Sequence, residues 1–167
     1  MHELVPIVSM VGRHNSGKTT LLTQVIPYLK RAGCKTAVIK HAAHGLNIEN
    51  RSDSDRLYNS GADLVYASSP GMSLVYRRYD HEEELETIYS QVSPDYDLVI
   101  CEGFKKAAVP KVEVLRAEIS TKPMDLENVI ARVADFNCGG DLPTFLLNQH
   151  EEVARFIIST FKPEDLY

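Results

Sequence analysis

Gly12-Arg13-His14-Asn15-Ser16-Gly17-Lys18-Thr19-Thr20 decides how this chain reads. Before it stands Ile7-Val8-Ser9-Met10-Val11, a short apolar run that reads as a strand. After it come Leu21-Leu22-Thr23-Gln24-Val25-Ile26-Pro27-Tyr28-Leu29-Lys30, which read as a helix. Strand, GxxxxGK[ST] and helix, in that order, make a phosphate-binding P-loop. Glycines let successive backbone N–H groups turn toward one anion, and the following helix brings the positive end of its dipole to the same point. Gly12, Asn15, Ser16, Gly17, Lys18, Thr19 and Thr20 are the expected nucleotide-binding set. Lys18 is placed to reach the β- and γ-phosphates, and Thr19 to ligate Mg²⁺.

The 167 residues suggest one domain, residues 1–167, with room for a proper core. A hydrophobic fraction of 44% with 25% charged residues is ordinary for a soluble globule. The net charge of −5 gives no support to broad nucleic-acid binding. No apolar run approaches the ~20 residues that cross a bilayer, so no membrane partner is expected. Met1-His2-Glu3-Leu4 does not read as a signal peptide. Cys34, Cys101 and Cys138 stand apart, with no CxxC among them, which suits reduced thiols in a cytoplasmic protein. Cys101, inside an apolar run, reads as buried.

Strands are expected at Val5–Val11, Lys35–Lys40, Tyr96–Cys101, Lys111–Arg116, Val129–Ala134 and Thr144–Leu147. Helices are expected at Lys18–Arg31, Ser52–Asn59, Asp80–Val92 and Glu151–Phe161. Ala62–Ser68 and Met72–Arg78, split by Ser69-Pro70-Gly71, read as a hairpin, with Met72–Arg78 the candidate antiparallel strand. Glu82-Glu83-Glu84 reads as helix-start stabilisation. Tyr96–Cys101 is continuously apolar, as in a strand buried on both faces, whereas Lys111–Arg116 alternates. The repeated strand–helix alternation argues a three-layer α/β P-loop NTPase fold with a mainly parallel central sheet.

A P-loop needs a second acid for magnesium and hydrolysis, at the carboxyl end of a neighbouring strand. Asp97 and Glu102 bracket one strand, roughly 16 Å apart at ~3.3 Å per residue, so only one faces the phosphates. Glu102 is at the carboxyl end and is preferred, as metal ligand and, with Lys18, as catalytic residue. Gly103 beside it is a candidate N–H donor to a γ-phosphate.

Lys40 ends the second strand, and His41 and His44 follow in a polar loop. These three, with Asp53 and Arg56, are candidates for a substrate or partner contact: a small-anion or pterin-like pocket, half of a transition-metal site, or ordinary loop polarity. Guanine presents two adjacent donors that one carboxylate accepts, and NKxD is absent. Asp135, at a strand end, is the first candidate for base reading and Asn148 the second; spacing alone leaves adenine open.

Gly12–Thr20, Ile39-Lys40-His41 with His44, Asp53-Ser54 with Arg56, Gly61-Ala62, Glu102-Gly103-Phe104-Lys105 and Pro110-Lys111-Val112-Glu113-Val114 together resemble the molybdopterin-guanine dinucleotide biosynthesis protein B (MobB) family. The resemblance runs from residue 5 to about residue 136. It implies a P-loop GTP-binding protein with weak GTPase activity and Mg²⁺ dependence. It also implies a homodimer that assists a MobA-like guanylyltransferase in attaching GMP to molybdopterin, with molybdopterin itself a further possible ligand. Carried over to this sequence, Gly12, Gly17, Lys18 and Thr19 hold phosphate and Mg²⁺, Glu102 is the second acid, and the His41 and Asp53 region faces pterin or partner. The resemblance departs at Asn47, Glu49 and Leu57-Tyr58, where the family often carries an acid and a His-Arg pair. Alternatives are a nickel metallochaperone-type GTPase using His41 and His44, and a small-molecule kinase. No water-positioning glutamine or arginine finger is evident apart from Arg13 inside the loop, so slow turnover is expected.

Overall fold

The computed structural model describes residues 4–161, His44 excepted. The chain divides into two compact units, Met1–His41 with Leu85–Tyr167, and Ala42–Glu84.

The larger unit carries strands β1 (Ile7–Gly12) and β2 (Thr36–Lys40) with helix α1 (Lys18–Arg31) between them. Its later strands are β5 (Leu98–Glu102), β6 (Lys111–Leu115), β7 (Val129–Ala134) and β8 (Thr144–Leu146). Helices α3 (Leu85–Val92) and α4 (His150–Phe161) complete it. The six strands form one sheet in the order β2-β5-β1-β6-β7-β8, and every pairing is parallel. The chain builds one side of β1 first and the other side afterwards. The carboxyl end of β1 is therefore the switch point, where ligands lodge in open parallel sheets.

Period-2 alternation splits the core between the two sheet faces. Val8 and Met10 of β1, Leu98 and Ile100 of β5 and Val112 and Val114 of β6 pack with Leu21, Val25 and Leu29 of α1 and Val153 and Ile157 of α4. On the opposite face Ile39, Val99 and Cys101 pack with Leu85, and Ile88, Tyr89 and Val92 of α3 close over them. Helix, sheet and helix make the three layers the sequence implies.

The smaller unit holds α2 (Asp53–Asn59) and the strands β3 (Leu64–Ser69) and β4 (Met72–Arg77). These two strands pair antiparallel, from Leu64↔Arg77 to Ser69↔Met72, as a separate two-stranded sheet. The hairpin is real, but it lies outside the central sheet, which is purely parallel. Ser52 caps α2: its hydroxyl accepts from Asp55 N–H at 3.2 Å, and the Asp55 carboxylate accepts from Ser52 N–H at 3.0 Å. Tyr76 of β4 donates to the same carboxylate at 2.7 Å, tying helix to hairpin.

One expectation is corrected. The third long helix begins at Leu85, not Asp80. Asp80 and Glu82–Glu84 offer no apolar side chain to anchor a turn, and the helix starts at the first residue that reaches the core, Leu85. The acidic run therefore precedes the first turn instead of forming it. The strand expected at Lys111–Arg116 is present as β6, and all five of its residues are buried, Lys111 and Glu113 included. Each has its charge answered. Lys111 Nζ donates to the carbonyls of Ala107, Val109 and Glu127 at 2.6, 3.2 and 3.1 Å. Glu113 accepts from Met124 N–H at 2.7 Å and from Arg132 Nε at 3.3 Å.

Candidate nucleotide site

The loop between β1 and α1 is shaped by close approach and by left-handed backbone. A Cβ on Gly12 would come to 2.4 Å from Ser16 Oγ and 2.5 Å from the Val114 carbonyl, so no other residue fits there. Asn15 at φ 60° and Gly17 at φ 89° turn the chain back on itself. Gly17 is the N-cap of α1 and supplies no side-chain cap, and the first turn holds no acidic residue. The first N–H groups of the helix and its dipole are thus left for an anion from elsewhere. Ser16 Oγ is fully buried and has no hydrogen-bond partner among the described residues. Lys18 Nζ folds over the loop, donating to the Arg13 carbonyl at 2.8 Å. Burial is the largest cause of a lowered pKa at Lys18; the Glu102 carboxylate opposes it, and the Lys105 and Lys40 ammoniums reinforce it. Thr20 lies in the first turn of α1, where its carbonyl accepts from Thr23 Oγ1 at 2.8 Å.

Glu102 ends β5 between β2 and β1, level with Lys40 and with Met10. Thr19 Oγ1 donates to Glu102 Oε1 at 2.7 Å, across 83 residues of sequence. Lys40 Nζ lies 2.8 Å from the same oxygen. Burial alone would push the Glu102 carboxyl up; hydrogen bonds from Lys40 and Thr19, with the charges of Lys40 and Lys18, outweigh it and hold the carboxyl below its ordinary value. Lys18 and Lys40 thus flank a single carboxylate, with Lys105 adding to the positive field at Lys18, a balance suited to a polyanion. A buried carboxylate beside a threonine hydroxyl is an all-oxygen pair of the kind Mg²⁺ takes. Asp97, the rejected acid, sits at the opposite edge and accepts from Lys35 N–H at 2.7 Å.

After Glu102 the chain turns sharply, with Gly103 at φ 100° and Phe104 at φ 50°. Gly103 N–H, a candidate γ-phosphate donor on sequence grounds, donates to the Met10 carbonyl at 3.0 Å instead. Ser9 Oγ donates to the Gly103 carbonyl at 2.5 Å, so the turn is fastened to β1 from both sides. His41 N–H donates to the Glu102 carbonyl at 2.9 Å, and its ring meets Phe104 at 5.1 Å between centroids. His41 is therefore built into the Glu102 turn.

Asp135, in the larger unit, makes its contacts elsewhere. It follows β7; its Oδ1 accepts from Ala117 N–H at 2.7 Å and its Oδ2 lies 3.9 Å from Arg116 Nε. Asp53 and Arg56 belong to the smaller unit and pair with each other at 3.3 Å on its surface. His44 lies outside the described residues. Among the described residues no three His, Cys, Asp or Glu side chains come together as a metal site. Sequence reasoning missed Lys105 as part of the charge field. It also missed the buried Lys111 and Glu113, whose signal was a pair of charges inside a strand next to Pro110.

A family model described as MobB, molybdopterin guanine dinucleotide synthesis protein B, matches residues 7–135. The molybdopterin-guanine dinucleotide biosynthesis adapter protein of Escherichia coli (strain K12) is 28% identical, with 97% of this chain and 97% of that protein covered. A Bacillus subtilis (strain 168) protein named "Probable molybdopterin-guanine dinucleotide biosynthesis adapter protein" is 32% identical, with 75% and 74% covered. A crystal structure titled as molybdopterin-guanine biosynthesis protein B (mobB) superposes with a TM-score of 0.76 at 36% identity, covering 92% of this chain and 99% of that one. The family model spans 7–135, well over half of the 167 residues, and this chain belongs to the MobB family.

Proposed function

We propose that this chain is a nucleotide-binding adapter for the guanylylation step of molybdenum-cofactor biosynthesis. In this reading it binds GTP with Mg²⁺ at the loop Gly12–Thr20 and hydrolyses it slowly. It serves a MobA-like guanylyltransferase in the cytoplasm, as a homodimer, with molybdopterin as a further ligand. The chain acts as one nucleotide-binding domain, with Ala42–Glu84 as an insert between β2 and α3. The observation that carries the reading is the meeting of Thr19 and Glu102 at 2.7 Å beside Lys18, at the carboxyl end of β1. The adapter role is supported by the names of the E. coli and B. subtilis relatives.

Each side chain has a distinct part. Gly12, Asn15, Ser16 and Gly17 shape the cradle, whose backbone N–H groups face the phosphates. Lys18 leaves the Arg13 carbonyl for the β- and γ-phosphate oxygens. Thr19 and Glu102 hold the metal, and bound Mg²⁺ supplies neutralising charge on those oxygens. The Gly103 N–H is committed to β1, and Arg13 is exposed in the loop. Few preorganised donors are left for the transition state, which suits slow turnover. Asp135 is the proposed base reader. It must exchange its Ala117 N–H for the guanine edge. Exposed apolar residues of the hairpin, Leu64, Tyr66 and Met72, support the homodimer, because an isolated two-stranded ribbon is marginal alone.

The test is reconstitution with guanylyltransferase, molybdopterin-bound molybdenum and GTP. Addition of this chain raises the yield of dinucleotide cofactor, and the Lys18→Ala variant does not. Equal yields with and without the chain would remove the adapter role. The nickel and kinase alternatives find no observation in their favour.

A further inference from the structure

Lys40 is the last residue of β2, and the parallel register sets it beside Glu102. Its Nζ lies 2.8 Å from Glu102 Oε1 and 3.2 Å from Thr19 Oγ1. Those two atoms also hydrogen-bond each other at 2.7 Å. One ammonium therefore touches both side chains that the reading above gives to Mg²⁺. An ammonium and a divalent cation draw on the same lone pairs, so a metal held by both oxygens displaces the ammonium from them. The two partners differ in freedom. The Lys40 side chain is 51% exposed and that of Glu102 only 10%. The next residue, His41, leaves the strand. A flexible four-carbon stem can swing, whereas the carboxylate stays at its place in the sheet.

We infer that Lys40 is a second phosphate-sensing cation of the site: it bridges Thr19 and Glu102 in the described arrangement, and its ammonium moves to the terminal phosphate when those side chains serve as metal ligands. The inference rests on the proposed nucleotide site and assigns to one residue its discrimination between triphosphate and diphosphate. Lys18 approaches from the loop and Lys40 from the strand two places away in the sheet, so the two cations reach the phosphate tail from different sides. No arginine from a second molecule is then required to answer the γ-phosphate charge.

The test compares wild type, Lys40→Ala and Lys40→Arg by fluorescent GTP and GDP titration over a range of Mg²⁺ concentrations, with circular dichroism melts as a control for folding. Loss of one charge-assisted contact predicts about tenfold weaker GTP binding in Lys40→Ala, with GDP affinity within about twofold of wild type. The Mg²⁺ concentration for half-saturation should fall, because nothing competes for Glu102, and Lys40→Arg should keep the preference for GTP. Weakening that is equal for both nucleotides, or an unmoved Mg²⁺ requirement, overturns the inference: Lys40 is then a structural ion-pair partner. A wild-type protein that binds neither nucleotide overturns both the site and this assignment. Wild type and Lys40→Ala binding GTP alike overturns this assignment only.

Discussion

Glu102 concentrates the chemistry at the scale of single residues, because one buried oxygen serves Thr19 and Lys40 together. Replacing it by glutamine keeps the shape and removes the charge. Glu102→Gln is expected to bind GTP but to lose the Mg²⁺ dependence of binding, read by titration with and without EDTA; an unchanged magnesium response would place the second acid elsewhere. The lowered carboxyl pKa also fixes a pH dependence. A depressed carboxyl adds stability that is present above its ordinary range and is lost as pH falls through the folded value. In urea melts at a series of pH values, wild type should therefore lose stability relative to Glu102→Gln only on the acid side of about pH 4.5. Cysteine chemistry is equally specific. Burial pushes the Cys101 thiol up to about 12, so the native protein should resist alkylation there, while half-buried Cys138 reacts first. Mass spectrometry after brief iodoacetamide treatment reads the order. The turn between β1 and α1 and the strand-end place of Glu102 were legible because loop spacing and strand-end position are local properties of the chain. The burial of Lys111 and Glu113 was not, because it depends on carbonyls and an arginine brought from residues 107, 109, 127 and 132.

Elements were legible where periodicity and a cap agreed. Helix α1 runs from Lys18 to Arg31 as its apolar spacing requires, although Pro27 lies inside it and withholds one N–H from the ladder. Helix α2 begins after Ser52 because hydroxyl and carboxylate cap each other reciprocally. Ser52→Ala is expected to cost about 1 kcal/mol in a urea melt followed by the smaller unit's tyrosines. Strand β5 starts at Leu98, two residues later than the sequence suggests, since Asp97 is spent on Lys35 N–H, and it ends one residue later, at Glu102. The turn after β5 has a sharper requirement. At Gly103 the backbone is left-handed and an added Cβ would sit 3.0 Å from His41 Cβ. Gly103→Ala should destabilise by about 1–3 kcal/mol and loosen Glu102, visible as a weaker Mg²⁺ response at an unchanged fold. Helix α3 shows the limit of reading acidic runs: charge pattern suggested a start at Asp80, but packing on the sheet set it at Leu85.

For the whole molecule, strand–helix alternation carried the architecture, since parallel strands joined by right-handed crossovers leave few arrangements. It did not carry the order β2-β5-β1-β6-β7-β8, which places β5 between β1 and β2 and so brings Glu102 next to Thr19 and Lys40. Nor did it separate the hairpin from the central sheet, because a two-stranded ribbon and an edge pair have the same alternation. The exposed hairpin carries a prediction at this scale. Light scattering on a sizing column should give twice the chain mass, and Met72→Asp should shift the protein toward monomer without changing its GTP affinity; a monomeric wild type would remove the dimer from the proposal. The most direct test of the nucleotide site is calorimetric titration of GTP·Mg²⁺ into wild type and Lys18→Ala. One triphosphate per chain bound by wild type, with binding lost in the variant, is the expected result; equal binding by both proteins, or none by the wild type, would contradict it.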